Sequence, residues 1–113
     1  MPQLSLPMLT VYDGPRLVDV DTVSLCQTYR DAVRMCHQLR TRKGMSNRQL
    51  AEESGSYGSH MSDYLSHDTS KRELPAKHIA EFETACGNRC ISQWLAAQAN
   101  LTILETFIQQ RAA

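Results

Sequence analysis

The stretch SNRQLAEESGSYGSHMSDYLS, Ser46 to Ser66, sets two short amphipathic patterns on either side of a glycine. The second carries mostly small polar groups on its outer face. Ser46 stands three residues before Gln49, a capping-box spacing in which the serine hydroxyl accepts the Gln49 amide and the Gln49 side chain reaches back. The pattern predicts a helix to about Ser54, ended by Gly55 in the left-handed conformation that glycine adopts without steric cost. After a tight turn, Met61, Tyr64 and Leu65 form the apolar face of the next helix, opposite Ser59, Ser62, Asp63 and Ser66.

Working outward, Leu25, Tyr29, Val33, Cys36 and Leu39 recur at three or four residues. This predicts one long helix from Thr22 to Lys43, with Asp21 or Thr22 at its start and Gly44 after its basic last turn. Beyond the loop SHDTSKRE, Pro75 suits the first turn of a fourth helix that buries Ile79, Phe82 and Cys86 and stops at Gly87. NRCISQWLAAQAN makes a fifth, with Ile91, Trp94 and Leu95 inward and Asn100 ending it in a left-handed conformation. Leu101 to Gln110 adds a last amphipathic piece. Before all of these, Asp13-Gly14 between two short β-favouring runs, Leu9 to Val20, signals a hairpin or an arm.

A chain of 113 residues with zero formal net charge is one domain's worth of sequence, with no overall acidic or basic pull on a partner. The distribution is uneven. From Arg30 to Arg48 six cations (Arg30, Arg34, Arg40, Arg42, Lys43, Arg48) face Asp31 alone, a net of plus five, whereas Gln49 to Ser70 holds four acids and no Lys or Arg. No apolar run approaches membrane-spanning length, and the N-terminus lacks the charged and apolar regions of a signal peptide. The expected setting is the cytoplasm, with Cys26, Cys36, Cys86 and Cys90 reduced.

The pair of short helices around Gly55 is similar to a helix-turn-helix, and Gln49-Leu50-Ala51, Gly55, Met61-Ser62 and Tyr64 stand at the spacings of the lambda-repressor-like (Cro/repressor, or Xre) family. The resemblance covers roughly residues 38–95. RELPAKHIAEFETACGNRCISQWLA resembles the tail of small prophage or mobile-element regulators. The resemblance implies an all-α fold: a compact five-helix bundle with an N-terminal hairpin or arm over residues 1–20, a DNA-binding domain over 21–100 and a C-terminal dimerisation segment over 101–113. The chain departs from the family at Ser56, where an aliphatic residue is usual and the Tyr57 ring is expected to fill the gap. Tyr57 itself stands where a capping serine or threonine is common.

Carried over by position, Asn47 should hold a phosphate or support the reading helix, which would present Tyr57, Gly58, Ser59, His60, Ser62, Asp63 and Ser66 to bases and phosphates in the major groove. Asp63 opposes phosphates unless it accepts from a cytosine amino group. Lys43, Arg48, Lys71 and Arg72 would touch the backbone. Trp94, Leu101, Ile103, Leu104, Phe107 and Ile108 form more apolar surface than a short helix buries alone, and so mark a homodimer interface.

The expected function is a transcriptional regulator, a repressor working as a homodimer on a partly palindromic double-stranded operator. One alternative is the antitoxin of a toxin-antitoxin pair, with a toxin as protein partner; another is an interaction module of the same shape that binds no DNA. An ordinary helical hairpin is the plainest reading of the stretch. No enzyme activity and no cofactor are expected. Neither GSYGS nor GSH lies in the strand-turn-helix context of a nucleophile elbow. A zinc set of Cys86, Cys90 and His78 or Cys26 lacks any Cys-x-x-Cys, and buried cysteine is usually a small hydrophobe.

Overall fold

In the computed structural model, which describes residues 14–112 and the side chains of 14–100 and 105–111, the helix predicted over Thr22 to Lys43 is two helices. A single turn, α1, spans Val20–Val23 and α2 runs Tyr29–Gln38. The break has a local cause. The Thr28 hydroxyl accepts the Asp31 amide at 3.1 Å, and Asp31 accepts the amides of Gln27 and Thr28 in return. That closed capping box starts α2 afresh, while the Cys26 carbonyl turns to the Trp94 indole N–H, 2.9 Å away. Leu25, placed inward by the periodicity, is 71% exposed. The helix also ends five residues early: Arg40 donates to the His37 carbonyl and Lys43 Nζ to that of Gln38, satisfying the last turn.

The quoted stretch forms α3, Asn47–Ser54, and α4, Gly58–Tyr64. The Ser46 hydroxyl accepts the Gln49 amide at 3.1 Å, but Gln49 spends its side chain on Glu53, so only half of the expected box is made. Gly55 closes α3 at φ 77°. After the loop, a 3-10 turn over Ala76–His78 follows Pro75 and leads into α5, Ile79–Cys86, which Gly87 ends at φ 84°. One helix of 23 residues, α6, then runs Cys90–Ala112. Asn100 does not break it; among the described residues only glycines take positive φ.

The chain is all-α. The β pairing among the described residues is one isolated parallel bridge between Arg16 and Asn88. Leu9 to Asp13 of the expected hairpin lie outside the described residues. Its second run lies along the start of α6, where Gln93 bonds both the amide and the carbonyl of Val18 at 2.8 Å. The core joins Val33 and Cys36 of α2, Leu50 and Ala51 of α3, Met61 and Tyr64 of α4, Phe82 and Cys86 of α5 and Cys90 and Ile91 of α6. Leu95, expected inward, is exposed.

Two ionisable side chains are buried where helix ends need them. Glu83 of α5 is fully enclosed and accepts the amide and hydroxyl of Ser92, each at 2.7 Å, in the first turn of α6; a carboxylate there meets free amides and the positive end of the helix dipole. Arg30 of α2, 5% exposed, sends Nη1 to the carbonyls of Asp63 (2.7 Å) and Ser66 (3.0 Å) and Nη2 to those of Lys71 (2.6 Å) and Arg72 (3.1 Å). Its charge thus sits at the negative end of α4.

Replacing Arg30 with Met keeps much of the volume but removes four part-buried, charge-assisted hydrogen bonds, so a loss of about 3 kcal/mol in urea unfolding is expected. The two left-handed glycines should differ. A Cβ on Gly55 would have only the His78 ring nearby, at 3.6 Å, whereas one on Gly87 would stand 2.7 Å from the Thr41 hydroxyl. Gly55→Ala should cost about 1 kcal/mol for the backbone conformation alone, and Gly87→Ala distinctly more, as read by the shift in denaturation midpoint at constant m.

Candidate nucleic-acid interface

α3 and α4 pack against each other across the Gly55 turn, and their outward residues form one surface with the α2–α3 loop before them and the loop after α4. Asn47 and Arg48, in the first turn of α3, are exposed; Arg48 lies 3.9 Å from Glu52, one turn on, an exposed pair worth little. Tyr57 precedes α4 without any side-chain cap. Its ring is 73% exposed, so it does not fill the space beside Ser56; the Ser56 hydroxyl is buried there without a partner. Tyr57 instead meets His60 edge-on at 5.2 Å between centroids, and His60 meets Tyr64 at 6.4 Å. Gly58, Ser59 and Ser62 are exposed, with the Ser62 hydroxyl donating to the Ser59 carbonyl at 3.2 Å.

Several of the expected readers are committed elsewhere. Asp63 is half-buried and pairs with Arg72 at 2.8 Å, so its charge is answered from the following loop. The Ser66 carbonyl accepts from Arg30 and its hydroxyl accepts the Asp68 amide. His60 lies between two tyrosine rings, partly buried. Lys43 and Lys71 are exposed, though the Lys43 ammonium folds back on Gln38. The surface therefore presents Asn47, Arg48, Tyr57, Gly58, Ser59, Ser62 and Lys71 outward, with Arg72 bridging to Asp63.

The basic strip that precedes this surface in sequence is largely spent inside the molecule. Arg30 is buried; Arg34 donates to the Leu65 carbonyl and meets His67 at 2.7 Å; Arg40 bonds the carbonyls of His37 and Lys43. Arg42 pairs with Glu53 and reaches the Ala85 carbonyl, which holds the Glu53 carboxyl below its ordinary range. Sequence reading missed Arg30 and Glu83 as structural groups. Arg30 stands three residues before Val33, and Glu83 three before Cys86, so helical spacing places each charge on an inward face.

The four cysteines are free and buried, and the Cys36 thiol donates to the Asn88 carbonyl at 3.8 Å. Burial pushes Cys26 up, and Cys90 beside it to about 12. Cys36 is pushed up by its bond with Cys86 and by burial. Such thiols are poor nucleophiles and poor ligands in the protonated form. Among the described residues no three His, Cys, Asp or Glu side chains converge as a metal set, and no helix is long and apolar enough to cross a membrane.

Of the residues expected at a dimer interface, Trp94 is half-buried, and Phe107 and Ile108 are 51% and 63% exposed. Leu101, Ile103 and Leu104 lie within α6, with side chains outside the described set. The chain matches no protein-family model, no curated protein and no solved structure.

His37, in the last turn of α2, makes the stability of the fold depend on pH. Burial, and then the charges of Arg40 and Lys43, hold its pKa below the ordinary value. As pH falls, the unfolded chain takes up this proton first, so the contribution of His37 to stability is complete above about pH 6.5 and drains away below it, toward the lower pKa of the folded state. His37→Gln should flatten the dependence of the urea midpoint on pH between about 7 and about 5.5.

Proposed function

We propose that the α3–α4 pair reads double-stranded DNA and that the protein is a sequence-specific transcriptional regulator of lambda-repressor-like architecture, a repressor acting as a homodimer on a partly palindromic operator. One observation carries this reading: Ser46 and Gly55 fix a short helix pair whose second member turns Gly58, Ser59 and Ser62 outward, while the acid beside them, Asp63, is neutralised by Arg72. Small hydroxyl groups let a helix approach base edges and phosphates closely in a groove about 12 Å wide. An unpaired carboxylate at that distance would oppose the phosphates.

In this reading Ser59 and Ser62 meet bases or phosphates, Asn47 and Arg48 hold the backbone at the start of α3, and Lys71 and Arg72 do so after α4. Lys43 joins them by leaving the Gln38 carbonyl. The cations supply salt-dependent affinity common to all sequences, and α4 supplies the choice of site.

Selection of bound duplexes from a random pool at stated salt should return a half-site and its spacing. Replacing Ser59 and Ser62 together with Glu should abolish binding to that operator with unchanged circular dichroism, because both positions are exposed. Arg48→Ala should weaken all duplexes alike and lower the salt slope by about one. Arg72→Ala should cost more than Lys71→Ala, because it also frees the Asp63 carboxylate, and adding Asp63→Asn should restore part of the loss. Normal binding by the doubly acidic variant would show that α4 is not the reader.

A further inference from the structure

A groove of about 460 Å³ lies between α1 and the first half of α6, with Val20, Val23, Cys26, Trp94, Ala97 and Asn100 among its walls. That size falls within the roughly 300–1,000 Å³ of clefts that take up several apolar groups. None of its lining residues is ionisable at neutral pH, and Gln93 at its edge already spends its amide on the Val18 backbone. On the same helix, every described side chain from Leu95 to Arg111 is exposed. From Leu95 to Ala112 the only charges are Glu105 and Arg111, which cancel. A helix this exposed gains little stability from propensity alone; tertiary burial of an apolar face is what normally holds such a helix.

We infer that the groove seats the far end of α6 from a second copy of this chain, Phe107 and Ile108 entering it, while the first copy's Phe107 and Ile108 enter the groove of the second. The register follows from the helix itself. The groove is centred near position 97, and Phe107 and Ile108 stand ten or eleven positions further on, about 16 Å along the axis. A continuous helix cannot bring its own end back over its own beginning. Two copies fill both grooves only if their α6 helices run antiparallel about a two-fold axis near residue 102, which sets position 107 of one beside position 97 of the other. A parallel pair would set groove against groove and end against end.

The sequence agrees with a helix-on-helix seam: Trp94, Ala97, Leu101, Leu104 and Ile108 follow a three-four spacing, that of coiled-coil contacts. A second copy suits this groove better than a charged partner would, because neither surface brings a net charge to be desolvated. The arrangement is isologous and closed, so it stops at two. It specifies the homodimer of the proposed function and rests on that part of the reading, not on DNA contact.

The test is made without DNA on the full chain. Sedimentation at tens of micromolar should show a dimer, and Ala97→Glu and Ile108→Glu should each shift it to monomer. When chains carrying Ala97→Cys and Phe107→Cys singly are mixed and mildly oxidised, disulfides should join unlike chains, since the native thiols are buried. A monomeric wild-type chain, a dimer indifferent to Ala97→Glu, or cross-links between like chains only would overturn the inference. So would a monomer destabilised by Ala97→Glu, which would mean that the chain's own residues occupy the groove. The two readings fail separately: a cross-linked dimer that shifts no duplex would count against DNA reading alone, and a monomer that shifts DNA against this dimer alone.

Discussion

The guanidinium of Arg30 is the joint on which the candidate interface hangs. A charge out of water is tolerated only if its donors are answered, and here two nitrogens meet four carbonyls that belong to the end of α4 and the loop behind it. The Asp63 carbonyl also accepts the Ser66 amide at 3.2 Å, so the guanidinium adds a charged donor to a helix end that the backbone closes only in part. One side chain therefore ties α2 to α4 and fixes the loop as well. Arg34 on the Leu65 carbonyl and the Tyr29 hydroxyl on that of Leu74 extend the same seam along the face of α2. The cost is visible in Arg30 Nε, buried without a partner.

The rest of the fold repeats this logic at other helix ends. Short helices leave most of their terminal amides and carbonyls unpaired, so a domain made of them needs many side chains as end pieces. Thr28 and Asp31 open α2, Ser46 opens α3, Glu83 opens α6 and Arg42 with the Thr41 amide closes α5. Asn88 bonds the Cys36 carbonyl and the Cys90 amide, tying α2 to the start of α6. Most of these groups are polar or charged, yet several are enclosed. The small core of apolar side chains sets the overall packing, and the end pieces set where each helix begins.

What was legible in the sequence is what is decided locally. Ser46 and Gly55 bound α3 as read, and Gly87 ends α5, because a hydroxyl three residues from an amide and a residue without Cβ act on their own backbone. The stretch from Thr22 to Lys43 misled because apolar periodicity passes unbroken through Leu25, while the break is dictated by Thr28 and Asp31, a box equally local but outvoted by the stripe. Asn100 misled in the opposite sense: its capacity for the left-handed region is only a permission, and continuation of α6 costs it little. Arg30 and Glu83 were hidden because a charge is ordinarily a surface residue and their carbonyl and amide partners lie far along the chain. The Tyr57 ring was expected inward on grounds of volume, yet its position just before α4 turns it to solvent.

The same accounting changes how the charge pattern bears on DNA. A net of plus five before the helix pair suggests a basic flank, but five of those six cations hold carbonyls or carboxylates of their own chain, and Arg48 lies beside Glu52. Arg42 and Arg48 face the carboxylates of Glu53 and Glu52, which lowers the local net charge and its long-range field, while the cations bonded to carbonyls keep their charge but are less free to move onto a phosphate. In the proposed reading, affinity for DNA would rest on short-range fit: hydroxyls and a glycine that allow close approach, a few cations at the edges, and a second α4 held at fixed spacing by a partner chain. For a weakly basic reader, doubling the contacts through a rigid two-fold joint raises affinity by effective concentration without further charge. The uncharged far half of α6 and the apolar groove beside its near half are the parts of this chain suited to such a joint.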